Sequence, residues 1–257
     1  MRTLERIACL AGLLMTAAPA AWSDPTPTGQ TATKASSIIS KEDLSARYPE
    51  LDANDIHEGP IPGTYEVMLG SNVAYVTTDA RFLIRGEIVD LTTQRNLTAV
   101  RRAAARATLL ATIDPATEIV FSPPNGHVKH RVTIFTDVDC GYCRQFHRDI
   151  AAVNALGIEV RYVSYPRTGP DTESWTKAEG VWCASDRKNA LTRAKVGGDV
   201  APVAGCTSPP VAEHYELGRR IGLTGTPGLY SESGEELGGY LPPDQLLTAL
   251  EHSDHKR

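Results

Sequence analysis

The sequence has no apolar stretch long enough to cross a lipid bilayer as a helix. Its apolar run 7–18 falls short of the roughly 20 residues that a transmembrane helix needs. Two arginines precede this run and small residues follow it, which is the pattern of a secretory signal peptide. We therefore predict a signal peptide over 1–23, a disordered leader rich in Thr, Pro and Ser over 24–37, and a soluble exported protein.

Clusters of basic residues interleaved with aromatic residues are also missing, and such clusters are typical of nucleic-acid-binding proteins. The chain is 41% hydrophobic and 22% charged with a net charge of −5, which is the composition of an ordinary globular protein. We expect no nucleic acid among its partners. The length of 257 residues suits one large domain or two modest ones after the signal peptide is removed.

Cysteines are few, five in the whole chain, and Cys9 lies within the predicted signal peptide. The remaining four allow three disulfide pairings. Cys140 and Cys143 form a Cys-x-x-Cys motif, which leaves Cys183 to pair with Cys206. Because disulfides persist in exported proteins, we predict that this second pair is a structural disulfide. A second redox relay is the alternative.

The Cys140–Cys143 motif lies between a predicted strand, 132–136, and a predicted helix. Apolar residues recur with helical spacing over 146–156, and Gly157 follows where a C-cap glycine would end the helix. A helix N-terminus favours the thiolate over the thiol, and the thiolate is the nucleophile of disulfide exchange. The pattern predicts a thioredoxin-like redox site in which Cys140 is the more exposed and more acidic thiol.

Two other interpretations of the motif stay open at this point. Structural zinc often binds Cys-x-x-Cys, but the sequence has no second such pair to complete a tetrahedral site. The motif could also be a purely structural short-range disulfide. Redox activity is favoured because the two cysteines stand at a strand-to-helix junction, and we predict no metal and no cofactor.

A small α+β domain is predicted over 38–96. It has one short helix and four short strands, a segment of about 55 residues that buries only a thin core and leaves edge strands unpaired. We expect dimerisation to cover these edges together with Val73, Tyr75 and Phe82. The helix is predicted at 41–47, and the strands of an antiparallel meander at 65–69, 73–77, 82–85 and 87–91.

The segment 97–113 has no Gly or Pro and is rich in Ala and Arg, which predicts a helical linker ended by Asp114-Pro115. Its arginines Arg101, Arg102 and Arg106 could form a binding patch. We interpret them instead as the solvent-exposed face of the helix.

Strand and helix patterns alternate over 114–257, which predicts an α/β domain. The strand before the motif, the motif helix and the strand 158–165 together form a right-handed βαβ unit. A helical insertion over about 171–222 carries Cys183 and Cys206. The other predicted elements are strands at 119–121 and 127–136 around a Pro-Pro-Asn-Gly turn, a hairpin over 229–240 and a closing helix at 244–252.

This order of elements resembles the periplasmic thiol:disulfide isomerases of the DsbC type. Three phrases carry the resemblance: 154–158 (Asn-Ala-Leu-Gly-Ile), 182–184 (Trp-Cys-Ala) and 225–227 (Gly-Thr-Pro). The likeness covers roughly 38–252. It implies an α+β N-terminal dimerisation domain, a helical linker and an α/β thioredoxin-like catalytic domain with a helical insertion.

The resemblance also implies roles for individual residues. Cys140 would be the nucleophile, Cys143 the resolving thiol, and Thr226-Pro227 a cis-proline loop facing them. The implied partners are misfolded disulfide-containing exported proteins, a second copy of the chain, and a membrane thiol reductase of the DsbD type as electron donor. Disulfide isomerase and chaperone activity in the periplasm follow from the same likeness. The implied substrate-binding residues are Gly141, Tyr142, Thr226 and Pro227.

Two features depart from the thioredoxin pattern. Ile134 stands six residues before the first cysteine, where thioredoxins keep a buried acid. Asp139 adjoins Cys140 and opposes thiolate formation, although Arg144 and His147 could offset its charge. A reductase of oxidised single cysteines, of the DsbG type, and a non-enzymatic holdase are the alternative functions.

Overall fold

The computed structural model describes residues 38–200 and 203–255, so the predicted signal peptide and leader lie outside the described residues. None of the described helices combines the length and the apolar character that crossing a bilayer requires. The helices are α1 (Lys41–Arg47), α2 (Leu97–Leu110), α3 (Gly141–Arg148), α4 (Ile150–Ala155), α5 (Glu173–Cys183), α6 (Arg187–Lys195), α7 (Val211–Arg220) and α8 (Pro243–His255). The strands are β1 (Ile56–Glu58), β2 (Thr64–Leu69), β3 (Asn72–Thr77), β4 (Leu83–Ile84), β5 (Val89–Asp90), β6 (Arg95–Asn96), β7 (Ile119–Phe121), β8 (His130–Thr136), β9 (Ile158–Ser164), β10 (Gly228–Ser231) and β11 (Glu236–Gly238).

The first four strands form an antiparallel sheet in the order β1-β2-β3-β4, which we call the N-terminal sheet. The predicted meander is wrong at both of its ends. The segment predicted as its fourth strand, 87–91, leaves the sheet at Gly86, and β5 pairs with β6 instead. The opposite edge is β1, whose three residues are too few to give a strand pattern in the sequence.

The N-terminal sheet already buries two residues that we expected a dimer to cover. Val73 and Tyr75 are buried within the chain, and the Tyr75 hydroxyl lies 2.6 Å from the Thr98 hydroxyl of α2. Phe82, by contrast, is 56% exposed beside the edge strand β4. Of the three residues, only Phe82, at the β4 edge, leaves apolar surface for a partner to cover.

Helix α2 begins as predicted, because the Asn96 side chain accepts a hydrogen bond from the backbone N–H of Ala99 at 2.9 Å. It ends at Leu110, three residues before the predicted end, at Ile113. The interpretation of its arginines as a solvent-exposed face holds for Arg102, whose ion pair with Glu87 is exposed, but is wrong for Arg106. Arg101 pairs with Glu66, and Arg106 is buried.

The central sheet has the order β11-β10-β8-β9-β7. Strands β8 and β9 are parallel on either side of the motif helices, which confirms the predicted βαβ unit, and the remaining pairs are antiparallel. The strands on either side of the Pro-Pro-Asn-Gly turn are not neighbours, because β9 lies between β7 and β8. The single helix predicted after the motif is broken at Asp149 into α3 and α4, and Gly157 ends α4 with a φ of +87°.

Both faces of the central sheet are covered. Ile134 is buried in the larger hydrophobic core, where Val132 and Val160 also lie, so it packs where thioredoxins keep their acid. The next residue, Phe135, points to the opposite face and packs with Leu109 of α2. The last turns of α2 thus complete the core of the central sheet.

The predicted helical insertion consists of α5, α6 and α7. The Cys183–Cys206 disulfide joins the end of α5 to the segment between α6 and α7. Trp182 is buried beside this disulfide, and its indole N–H donates a hydrogen bond to the Thr117 carbonyl at 2.9 Å. The insertion is therefore anchored to the start of the α/β region. Its helices α5 and α6 pack on the larger core, whereas Leu217 of α7 packs with Phe135 on the opposite face of the central sheet.

Candidate functional site

The Cys-x-x-Cys motif lies at the carboxyl end of β8, where the chain turns into α3. Cys140 is the N-cap residue of α3, and the backbone N–H of Cys143 donates a hydrogen bond to its sulfur at 3.5 Å. Both thiols are free and buried, with 2% of Cys140 and 1% of Cys143 exposed. Cys140 was predicted to be the more exposed thiol, and the exposed fractions of the two thiols differ by only 1%, so exposure does not distinguish them. The exposed residue of the motif is Tyr142, at 65%.

The loop before β10 covers Cys140. Its Thr226-Pro227 peptide bond is cis, as the family resemblance implied. The Cys140 thiol donates a hydrogen bond to the Thr226 carbonyl oxygen, with sulfur and oxygen 3.2 Å apart. The Thr226 hydroxyl oxygen is buried and bonds to no other described group while Cys140 is a thiol, so its proton is available for a hydrogen bond once the Cys140 thiolate forms. The loop thus brings two polar groups of one residue to the sulfur.

The two thiols have opposite acidities. Hydrogen bonds from the Cys143 thiol, the Thr226 side chain and the Cys143 backbone N–H, together with the charge of Arg167, lower the pKa of Cys140 to about 5 despite its burial. Burial raises the pKa of Cys143, and the Cys140 thiolate raises it further. At neutral pH the site therefore holds one thiolate, at Cys140, and one thiol, at Cys143.

Asp137, just before the motif, is a buried carboxylate that the sequence analysis missed. It accepts hydrogen bonds from the Asp139 backbone N–H at 2.8 Å, the Ser174 hydroxyl at 2.8 Å and Arg167 Nε at 3.0 Å. Burial alone would raise the pKa of Asp137, but these bonds hold it below its usual range. Asp137 thereby fixes Arg167 where its charge stabilises the Cys140 thiolate.

Two cations pair with the Asp139 carboxylate and offset its negative charge beside Cys140. Arg144 Nη2 lies 3.0 Å from its Oδ1 and Lys177 Nζ lies 3.2 Å from the same oxygen. The expectation that Arg144 offsets this charge agrees with the ion pair. His147 plays no such part. It is buried, its ring nitrogens bond the hydroxyls of Tyr162 and Thr192, and burial lowers its pKa to about 4.

A lysine lies beneath the site, and the sequence analysis also missed it. Lys195, at the end of α6, is buried, and its Nζ donates hydrogen bonds to the Thr136 hydroxyl at 2.6 Å and the Asp137 carbonyl at 2.9 Å. The sequence contains one indication that Lys195 is buried. Lys195 follows Leu191 by four residues, so both lie on the same face of α6, and Leu191 is buried.

The disulfide of Cys183 and Cys206 is separate from these residues, at the far end of α5. Within 38–200 and 203–255, no three His, Cys, Asp or Glu side chains form a group that could hold a metal ion. The arrangement brings together an acidic thiol, a less acidic thiol and a cis-proline loop. It is suited to nucleophilic attack by sulfur on sulfur.

Two protein families match the chain. A family described as thioredoxin-like domain matches residues 124–254, and the disulfide bond isomerase protein N-terminal domain matches residues 23–99. The first includes the whole Cys-x-x-Cys site and the cis-proline loop, and the second includes the N-terminal sheet.

Several named proteins are similar over most of the chain. The thiol:disulfide interchange protein DsbC of Escherichia coli (strain K12) is 34% identical over 203 residues, which are 78% of this chain and 82% of that protein. The protein of the same name from Dickeya dadantii (strain 3937) is 34% identical over 201 residues, with the same shares. A crystal structure of a disulfide interchange protein from Neisseria gonorrhoeae is 27% identical, covers 55% of this chain and 97% of that chain, and has a TM-score of 0.45.

Proposed function

The chain belongs to the DsbC family of thiol:disulfide interchange proteins and is a disulfide isomerase, and we propose that Cys140 and Cys143 carry its reaction. One observation supports this assignment above the others. The pKa of Cys140 is lowered to about 5 at the head of α3, while burial raises the pKa of the neighbouring Cys143. A nucleophile that is ionised at neutral pH thus lies beside a second thiol that stays protonated at that pH.

The reaction begins when the Cys140 thiolate attacks one sulfur of a wrong disulfide. A bond forms between Cys140 and that substrate cysteine, and the other substrate cysteine leaves as a thiolate. The freed thiolate attacks a further disulfide of the same substrate. A substrate thiolate finally attacks the mixed disulfide and releases Cys140, so the substrate is rearranged without net oxidation or reduction.

Cys143 can also resolve the mixed disulfide. Its thiolate attacks the sulfur of Cys140, the bond to the substrate breaks, and the substrate cysteine leaves reduced. The protein then holds a Cys140–Cys143 disulfide and has lost two electrons. A membrane thiol reductase of the DsbD type restores the dithiol in the periplasm, where we place the protein.

The substrate binds along the cis-proline loop. Thr226 and Pro227 present backbone beside the Cys140 sulfur, which suits an extended substrate chain that pairs with them as a short strand. A Cβ added to Gly141 would meet no atom within 4 Å, so the surface in front of the motif is open. Tyr142, 65% exposed, gives that surface an aromatic contact for misfolded clients.

The protein acts as a homodimer joined through the N-terminal sheet. Strand β4 is a free edge within the described residues, and Phe82 and Leu83 are each 56% exposed along it. An edge strand with exposed apolar side chains offers both unpaired backbone groups and surface to a second copy. Two copies joined there enclose a cleft that holds a client while its disulfides reshuffle, and this holding is the chaperone activity.

The isomerase assignment is tested with a scrambled multi-disulfide protein as substrate. We expect Cys140→Ser to abolish the recovery of native substrate, because no other described thiol has its acidity. Cys143→Ser should retain isomerisation and accumulate mixed disulfides, detectable by mass. Full activity of Cys140→Ser would contradict the assignment. If the double Cys140→Ser, Cys143→Ser protein still suppresses client aggregation, the chaperone activity is independent of the thiols.

The dimer is tested by light scattering on Leu83→Glu. A charge on the β4 edge should convert the dimer to a monomer with lower isomerase activity while leaving the reactivity of Cys140 unchanged. The control is Val196→Glu, since Val196 is 75% exposed and lies after α6, away from the N-terminal sheet. A Leu83→Glu protein that stays dimeric would show that β4 is not the interface.

A further inference from the structure

The amino group of Lys195 is buried below the Cys-x-x-Cys site. The residue is 2% exposed, and its hydrogen-bond acceptors, the Thr136 hydroxyl and the Asp137 carbonyl, are both uncharged. Taking an ammonium out of water costs several kcal/mol when no charged partner bonds to it directly. A charge kept in such a place at a redox site points to a role in the chemistry.

Thr136 connects Lys195 to the resolving thiol. It is the last residue of β8 and is buried, and its hydroxyl accepts from Lys195 Nζ at 2.6 Å. The same hydroxyl lies close enough to the Cys143 sulfur to favour its thiolate form. A hydroxyl has one proton to donate and lone pairs to accept another. Nitrogen, hydroxyl and sulfur therefore form a continuous path for a proton.

Cys143 needs such a path, because it must lose its proton before it can attack. Burial raises the pKa of Cys143, so its thiolate is scarce at neutral pH. Ile134 occupies the buried position from which an acid could otherwise accept this proton. Burial also lowers the pKa of Lys195 to about 8, which brings its neutral amine within reach under physiological conditions.

Building on the proposed roles of Cys140 and Cys143, we propose that Lys195 is a positioning residue that exchanges a proton with Cys143 through the Thr136 hydroxyl when Cys143 resolves a mixed disulfide. The Cys143 thiol gives its proton to the Thr136 oxygen, and Thr136 passes its own proton to the neutral amine of Lys195. The thiolate of Cys143 then forms a bond to the Cys140 sulfur. The bond between Cys140 and the substrate breaks, and its electron pair leaves with the substrate sulfur.

The ammonium that results stays beside the site while the thiolate reacts, and it offsets the negative charge on Cys143. When a reductase later opens the Cys140–Cys143 disulfide, Cys143 leaves as a thiolate. Lys195 returns the proton by the same path. The exchange is therefore balanced over a full redox cycle, and it consumes nothing beyond the substrate disulfide and the reductant already assigned.

Capture of Cys140 by a substrate starts the exchange. The free Cys140 thiolate raises the pKa of both Cys143 and Lys195, because its charge disfavours a second thiolate and favours the ammonium. In the mixed disulfide that charge is gone. Both pKa values fall, so Cys143 becomes easier to deprotonate and Lys195 more often holds the amine that accepts the proton.

Other charges around Lys195 also affect the equilibrium between its ammonium and amine forms. Attraction to Asp137 favours the ammonium, and repulsion by Arg144 on α3 opposes it. His147 on α3 is neutral above its pKa of about 4. The charged residues of α5, which packs against α6, have other partners: Glu173 pairs with Lys177, Lys177 pairs with Asp139, and Glu179 accepts from the Trp175 indole.

The test follows both cysteines in one reaction. Reduced protein is mixed with one equivalent of dithiobis(2-nitrobenzoate). Attack by Cys140 releases the first coloured thiolate, and attack by Cys143 on the resulting mixed disulfide releases the second. At pH 7 we expect Lys195→Met to slow the second release at least about tenfold and the first by less than about threefold. Lys188→Met, the same change at an exposed position of α6, should alter neither phase.

The pH profile separates proton exchange from a packing role. In the unaltered protein the second rate should rise with pH and level off at or below about pH 8, because the Lys195 pKa of about 8 falls once Cys140 is captured and the amine then prevails. This inflection should disappear in Lys195→Arg, which keeps a cation but cannot lose its proton near neutral pH. It should also disappear in Thr136→Val, which keeps the lysine and breaks the path. These two variants decide the question if Lys195→Met does not fold.

An unchanged second rate and unchanged inflection in the folded variants would overturn the role of Lys195. Failure of the underlying assignment gives a different result. If the unaltered protein released only one coloured thiolate, or if Cys140→Ser still showed both phases, the roles of Cys140 and Cys143 themselves would be wrong.

Discussion

The Arg106 guanidinium of α2 donates a hydrogen bond from Nε to the backbone carbonyl of Ile221, 3.0 Å away at the end of α7. Its Nη2 lies 2.8 Å from Glu236 Oε2, and its Cζ lies 5.5 Å from the centre of the Tyr230 ring. One buried side chain thus holds α2 against α7 and the β10–β11 hairpin. The linker helix is fixed to the central sheet and is not a free spacer.

Arg106→Leu should lower the free energy of unfolding by about 1–3 kcal/mol, because the Ile221 carbonyl loses its side-chain partner and Glu236 loses its cation. The value stays in this range because Glu236 is partly exposed and its ion pair is screened. Urea unfolding measures the change. Arg102→Leu, which removes an exposed pair with Glu87 on the same helix, should cost less than about 1 kcal/mol. Equal losses in the two variants would contradict the anchoring role.

The acidity of Cys140 predicts an unusual pH profile for its alkylation. With a pKa of about 5, the rate of reaction with iodoacetamide should be nearly constant between pH 6 and 8 and fall as the pH drops through 5. A free cysteine, whose pKa is about 8.5, would instead gain reactivity steeply from pH 6 to 8 and beyond. Cys143 should stay unmodified, because burial raises its pKa. Equal titration of both cysteines would contradict the opposite acidities.

The same shift links the stability of the dithiol form to pH. The Cys140 pKa is lower in the folded than in the unfolded protein, so its contribution to stability is complete above about pH 8.5 and is lost as the pH falls through about 5. Thermal melts of the reduced protein should show this loss. The disulfide form, which has no Cys140 thiolate, provides the control.

Thr226→Val should make the Cys140–Cys143 couple more reducing. Removal of the hydroxyl takes away a hydrogen bond to the thiolate, so the pKa of Cys140 rises and the reduced form loses stability. Each unit of that rise corresponds to about 30 mV for a two-electron couple. Equilibration with glutathione measures the potential, and Thr224→Val, an exposed threonine of the same loop, should leave it unchanged.

The Cys183–Cys206 disulfide should remain closed in redox buffers that open the Cys140–Cys143 disulfide. Opening the active-site bond is favoured by the stable Cys140 thiolate, whereas the other bond closes a loop with a sequence separation of 23 residues. On the chain-entropy account that loop is worth about 3 kcal/mol. Mass mapping after graded treatment with dithiothreitol distinguishes the two bonds. Earlier opening of Cys183–Cys206 would contradict its structural role.

The sequence alone determined the features that depend on neighbouring residues. The starts of α1 and α2, the Cys-x-x-Cys motif at a strand-to-helix junction and the helix end at Gly157 follow from patterns of a few residues, whereas the cis-proline position was implied by the family resemblance. They could be predicted because a cap, a turn or a helical stripe is stabilised mostly by contacts within its own segment.

Only the tertiary structure decided which charged side chains are buried and what they meet. Lys195 and Thr136 are 59 positions apart, and Arg106 and Ile221 are 115 apart, so no local pattern connects them. Helical periodicity shows which face of α6 is apolar, but it does not show that this face packs against the site. The acidity of Cys140 and the buried amine beneath Cys143 result from that packing, because desolvation and hydrogen bonding act through space rather than along the chain.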